Sequence, residues 1–381
     1  MKSLLKLIEH KGGKTMLKRI TAIILVTLLM CISLTGCGGQ QTTSTVPHSA
    51  AQDTIVPRTV TNLNGSVITV QAEVNRVAAV FGPAYEKIVV LGAEDKIMAD
   101  GDFHISGWPW SNVIYKRLNN IPGIPNAHTQ LNIEDLLKYK LQVVFDFPNA
   151  QQVQKMKEAG IVDIPSVSTG KFEDTKNMLR FYGKILGNKE EQAAEEYAKY
   201  FDEKVKMITD ITSKIPENER PSVYFANQKI LLTHGKSSDI PEVIKLAGGR
   251  CVSLDVQGGS STQVNVEQLL QWNPQFIFVD HAGSSGNEPA ESVIKKTLDD
   301  TRYQKISAVE NQKVFICPTG AFFWDSGVQK VLLLMWMAQK LHPTEFSTLD
   351  MSKELKTFYT KFFNYNLSDD QAKKILAHLN P

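Results

Sequence analysis

Arginine, cysteine and unbroken hydrophobic sequence are all scarce in this chain of 381 residues, and each shortage removes a class of function. Its 42 basic residues include only eight arginines and are balanced by 40 acidic ones, whereas a nucleic-acid-binding domain carries a clear basic excess. No nucleic-acid partner is expected. The four cysteines, Cys31, Cys37, Cys251 and Cys317, form no CxxC and no Cys/His zinc spacing, so neither a redox motif nor a metal site is expected. No apolar run reaches the roughly 20 residues of a membrane-crossing helix. HExxH and GxSxG are absent. The nearest approach to a phosphate loop, Gly235-Lys236-Ser237, has Ile230 where the first glycine belongs. Acid pairs such as Asp299-Asp300 and Asp369-Asp370 are adjacent, point apart on any regular element, and read as solvated turn or cap residues. No catalytic residue and no cofactor are expected.

What is present begins with an export signal. Lys18 and Arg19 precede an apolar run from Ile20 to Leu34, and Leu34-Thr35-Gly36-Cys37 follows. A basic region, a short hydrophobic region and small residues before a cleavage point make a secretory signal. Leu-Thr-Gly-Cys resembles the bacterial lipobox, whose cysteine becomes the first mature residue and carries the lipid. Cys37 is the expected lipidation site, which places the protein outside the cytoplasm, anchored to the membrane. Residues 1–15 add nothing to the signal, and Met16 opens one of usual shape. Residues 1–36 hold most of the excess positive charge, so the net charge of +2 falls to about −3 without them. Residues 37–55, rich in Gly, Gln, Thr and Ser, read as a flexible tether. Cys251 and Cys317 are expected to be buried thiols.

From Arg76 onward short strands alternate with helices: Val77 to Phe81, Tyr85 to Leu91 closed by Gly92, then Lys96 to Ala99. The alternation returns after Pro221, through Val223 to Ala226, Glu242 to Leu246 closed by Gly248-Gly249, Phe276 to Val279 and Val314 to Cys317. That is the pattern of two α/β layers. Leu131 to Phe145 also aligns in register with Val264 to Phe278, so Asn, Glu, Leu, Leu, Gln and Phe recur. In each copy an asparagine, Asn132 or Asn265, is placed to cap a helix that leads to a hydrophobic strand. The period is far longer than a solenoid repeat and reads as duplicated lobes. Between them, Ala193, Ala194, Tyr197, Phe201, Val205, Ile208 and Ile211 mark one amphipathic helix over 190–215, with Glu195 four residues before Lys199 on its exposed face. A single stiff connector limits hinge closure.

Taken with Pro318-Thr-Gly-Ala-Phe-Phe-Trp-Asp-Ser-Gly327 and Leu341-His-Pro343, these features resemble the periplasmic-binding-protein family of iron-siderophore, haem and cobalamin importers. The closing run Phe358-Tyr359 and Phe362 to Asp370 fits it too. The resemblance implies two Rossmann-like α/β lobes joined by one long backbone helix. The expected layout is a signal over 1–36, the tether over 37–55, lobes over 56–172 and 219–345, a connecting helical segment over 173–218 and closing helices over 346–381. It further implies an extracytoplasmic substrate-binding lipoprotein that captures a metal chelate and delivers it to an ABC permease dimer and its ATPase.

Mapped by position, the resemblance puts Tyr85, His104, Trp108, Trp110, His234, His281, Phe323 and Trp324 at the ligand cleft. Aromatic faces would grip a bulky chelate, and histidines would coordinate a metal axially or donate to an oxyanion. It also gives Glu134 and Glu267, one per lobe, to docking on arginines of the two permease subunits. The scarcity of arginine in the cleft loops argues against a strongly anionic siderophore, and molybdate or tungstate stays open. Outside this class, a metal-chelate enzyme and a surface sensor are the competing readings.

Overall fold

The computed structural model describes residues 56–101, 109–127, 131–146, 150–166, 170–280 and 290–381. The signal, Cys37 and the tether lie outside the described residues. An antiparallel hairpin comes first, β1 (Arg58–Thr61) and β2 (Val67–Val70), turning at Asn64-Gly65 with Gly65 at φ +81°.

Next comes a sheet of four parallel strands, β3 (Val77–Ala79), β4 (Ile97–Asp100), β5 (Val143–Asp146) and β6 (Val162–Pro165), in the order β4-β3-β5-β6. Helices α1 (Gly82–Val90), α2 (Pro109–Ile114), α3 (Ile133–Lys138) and α4 (Ala150–Glu158) lie between and around the strands in sequence. Then α5 (Asp174–Leu186) leads into α6 (Asn188–Thr212).

A second sheet contains β7 (Ser222–Asn227), β8 (Leu232–Thr233), β9 (Arg250–Cys251), β10 (Thr262–Gln263), β11 (Phe276–Asp280) and β12 (Val314–Ile316). Its parallel strands run β9-β7-β11-β12, while β8 and β10 add antiparallel beside the end of β7. With it go α7 (Ile240–Leu246), α8 (Val266–Trp272), α9 (Ala290–Asp299), α10 (Ser307–Glu310) and α11 (Lys330–Leu341). The chain closes with α12 (Met351–Phe362) and α13 (Asp369–Leu376). Strands β5, β7 and β11 are buried along their whole length, which is why they read as continuous apolar runs rather than alternating ones.

The two parallel sheets are built alike. In chain order each places its second strand, then its first, third and fourth, side by side. Residues 131–140 and 264–273 match position for position in exposure. Asn132 accepts from the Glu134 backbone N–H and Asn265 from that of Gln268, so both asparagines cap. Lys140 and Asn273, again equivalent, both take a left-handed backbone, at φ +50° and +42°. Further on, Gln142 Oε1 accepts from Arg76 N at 3.0 Å and Gln275 Oε1 from Ser222 N at 2.9 Å, so each glutamine ties its strand to the first strand of its own sheet. Stereotyped capping explains none of this beyond the helix start. The sheets are structural copies.

Helix α6, of 25 residues, is about 37 Å long. Ala194, Tyr197, Phe201 and Ile208 are buried along one stripe, as their spacing requires. Near its start, Glu190 meets Lys96 beside β4 at 2.9 Å; its last residue, Thr212, donates through its hydroxyl to the Leu246 carbonyl of α7 at 2.8 Å. The helix thus touches both halves of the molecule. Glu195 pairs with Arg180 of α5, at 2.8 and 2.9 Å, instead of with Lys199, because a bidentate guanidinium outcompetes a lysine on a solvated helix face. Both remaining cysteines are free, Cys317 buried and Cys251 half-buried.

The cleft at the paired switch points

In an open parallel sheet the loops leave in opposite directions where the strand order reverses, and the carboxyl ends of the strands there open a crevice. The reversals fall between β3 and β5 and between β7 and β11. On the first sheet this edge carries Phe81, Gly82, Asp100 and Asp146; on the second it carries Asn227, Asp280 and the segment after β12. Segments 102–108, 147–149 and 281–289 follow β4, β5 and β11, and lie outside the described residues together with His104, Trp108 and His281.

Below the cleft the two halves touch directly. The first residue of helix α1, Gly82, is required as glycine because a Cβ there would stand 2.1 Å from the Phe322 ring, and Gly327 likewise, since its Cβ would stand 2.0 Å from Glu86 Oε2. Between these glycine contacts Glu86 Oε1 accepts from Gln329 Nε2 at 2.9 Å, and Oε2 accepts from the Val328 N–H at 3.3 Å. The Tyr359 hydroxyl donates to Gln329 Oε1 at 2.7 Å and accepts from Ala321 N at 3.0 Å. Tyr197 of α6 donates to the Val328 carbonyl at 2.6 Å. Segment 320–329 is therefore held by α1, α6 and α12 at once.

The site residues read from sequence separate into two groups. Tyr85 is buried with its ring edge-on to Tyr115 and Phe322 and its hydroxyl 3.3 Å from Ser111 Oγ, in the joint beneath the cleft. Trp110 is buried against the chain's own C-terminus, its indole donating to the Leu379 carbonyl at 2.8 Å. Phe323, Trp324 and His234 come together at the cleft edge of the second sheet. His234 follows β8, with Nε2 3.7 Å from Asp325 Oδ2, and Trp324 is fully buried with an indole N–H that has no acceptor among the described residues. Sequence reasoning passed over Glu86, Asp325 and Gln329; the aromatic run beside Asp325 was a usable signal for that one.

Electrostatically the edge is acidic. Burial pushes the Cys317 thiol well above its usual value, and the neighbouring Asp280 and Asp325 carboxylates push it further. On the first sheet, burial and then Asp146 raise Asp163 to about 7. The arginines of the described residues are all employed elsewhere. Arg58, Arg76, Arg117 and Arg220 donate to backbone carbonyls, Arg180 holds Glu195, Arg302 holds Asp300, and Arg250 opens β9 at the amino edge of its sheet.

A family profile described as "Periplasmic binding protein" matches residues 77–321, from β3 through both sheets to the held segment. The chain belongs to that family. It is 26% identical over 273 residues to the molybdate-binding protein MolA of Haemophilus influenzae, covering 66% of this chain and 75% of that protein. A periplasmic solute binding protein of Veillonella parvula is 27% identical with a TM-score of 0.69, covering 84% of this chain and 97% of that one. CeuE of Helicobacter pylori, solved with Ni-His, shares the fold at 18% identity and a TM-score of 0.68, covering 84% and 99%. As a periplasmic binding protein, the chain is a solute-binding component of an ABC importer and works outside the cytoplasm with a permease and its ATPase. Among the described residues no helix is long and apolar enough to cross a membrane.

Proposed function

We propose that the cleft captures a metal chelate, an iron-siderophore complex or a related haem or corrinoid, and that the protein hands it to its permease from a lipid anchor at Cys37. The observation that supports this is the held segment: the buried rings of Phe323 and Trp324 follow β12 at the carboxyl edge of the second sheet, and the indole N–H of Trp324 has no acceptor among the described residues. No arginine of the described residues stands at cleft level, while Asp100, Asp146, Asp280 and Asp325 do. This favours a bulky, partly apolar ligand without strong negative charge, contacted by Phe323, Trp324 and His234, with His104, Trp108 and His281 as further contacts. Tyr85 and Trp110 support the walls behind them.

The likeness to a molybdate-binding protein favours a second reading, a small oxyanion, which the acidic edge weighs against. Titrations with a ferric siderophore, haem, cobalamin and molybdate, followed by tryptophan fluorescence, separate the two. Saturable quenching by a chelate is expected; saturation by molybdate alone replaces the chelate reading.

Docking is assigned to Glu134 and Glu267. An acid in a first helical turn gains about 0.3–1 kcal/mol from the helix dipole without any partner. Both of these are exposed at equivalent positions of the two copies, which suits basic residues on two symmetry-related transmembrane subunits. Reversing both to Arg is expected to abolish transport with chelate affinity intact, and undiminished transport rejects the assignment.

A further inference from the structure

We infer that Leu137 and Leu270 are the apolar half of each docking patch and seat against apolar surface on the paired transmembrane subunits. This rests on the reading that Glu134 and Glu267 dock there. Only seven large hydrophobic side chains are exposed among the described residues, and Leu137, 49% exposed, and Leu270, 37% exposed, are two of them. They occupy the same position of the repeat, each three residues after its glutamate, and residues three apart share one face of a helix. The core does not explain them, because the preceding leucines, Leu136 and Leu269, are fully buried and make the contact with the interior.

A single exposed leucine is ordinary on any protein surface. Here the copies have diverged around it, with Asp135 against Gln268, Lys138 against Gln271 and Tyr139 against Trp272, yet leucine stands exposed in both. A partner that presents one surface twice accounts for that. Charge selects the partner: each leucine lies beside an exposed carboxylate, so the opposing surface is basic as well as apolar. A second copy of this chain would set carboxylate against carboxylate.

The test replaces Leu137 and Leu270 with Ser, singly and together, and measures binding to the importer's permease–ATPase complex in nanodiscs at low and high salt. Fluorescence titration with a ferric siderophore checks that the cleft is undisturbed. Burying a half-exposed leucine predicts affinity about fivefold weaker for each serine and about 25-fold weaker for both. The salt dependence stays that of the parent, since apolar contact is not screened. Unchanged affinity in the double leucine variant, with docking lost on reversing both glutamates, overturns this inference and leaves the docking assignment standing. Docking that survives all of these changes removes both.

Discussion

Glu86→Gln should remove a descent in stability between pH 4 and pH 8, leaving the variant less stable than the parent at pH 4 and more stable at pH 8. Glu86 is fully buried in the joint beneath the cleft, and burial, only partly offset by Gln329, Lys87 and the Val328 N–H, pushes its carboxyl from an ordinary 4.5 up to about 8. Between those values the native state keeps a proton that the unfolded chain has lost. Stability therefore falls as pH rises through that window, by about 1.4 kcal/mol per pH unit, for a full descent on the order of 5 kcal/mol. Burial also lowers Lys87 to about 8, so above that pH the unfolded chain holds the extra proton and stability recovers. The parent should show a minimum near pH 8. Glutamine has no proton to lose, so its curve should lack this descent and keep only the shallower one that Asp163, raised from 3.8 to about 7, contributes. Its single oxygen serves Gln329 or Val328 while its amide NH2 faces the other donor, a cost of roughly 1–3 kcal/mol at every pH. Glu86→Ala is the control. It leaves buried donors unmatched and should cost roughly 1–3 kcal/mol even at pH 4. Urea unfolding at several pH values reads all three, and parallel curves for parent and Gln variant would refute the reasoning.

Other consequences are independent of that titration. Gly82→Ala drives a methyl into the Phe322 ring and should cost about 1–3 kcal/mol while weakening chelate binding; Gly259→Ala, with nothing near its Cβ, should be neutral in the same assays. Trp110→Phe removes the bond to the Leu379 carbonyl and should lower the thermal midpoint without altering chelate affinity, whereas a large affinity loss would return Trp110 to the ligand. Cys37→Ala should release the protein from membranes in fractionation, and retention at an unprocessed mass would contradict the lipid anchor.

The parts of the fold that sequence made legible are those whose cause is local. Central strands β5, β7 and β11 are apolar runs bounded by prolines and polar residues, α6 carries a helical stripe, and the repeat is written in its caps. Strands β8, β9 and β10, two residues each, have no pattern to read because pairing with β7 and with one another creates them. Distance along the chain hides the site's supports in the same way. Glu86 reads as one more polar residue between Tyr85 and Lys87, yet its partner Gln329 lies 243 residues on. Trp110, beside Pro109, reads as a cleft wall, and the acceptor its indole finds at Leu379 near the C-terminus is invisible in the sequence. The aromatic run at 322–324 was legible because little besides a cleft or a core explains three large rings beside glycine, and the structure uses Phe322 for the joint and places its neighbours at the edge.

The most direct test of the central claim is native mass spectrometry, with absorption spectra, on protein released gently from its own membranes and then offered a ferric siderophore, haem, cobalamin or molybdate. One non-covalently bound metal chelate per chain is expected, with the chelate's own absorption band and displacement by excess of the same chelate. Molybdate as the sole solute retained, or no solute retained from any of the four, would contradict it.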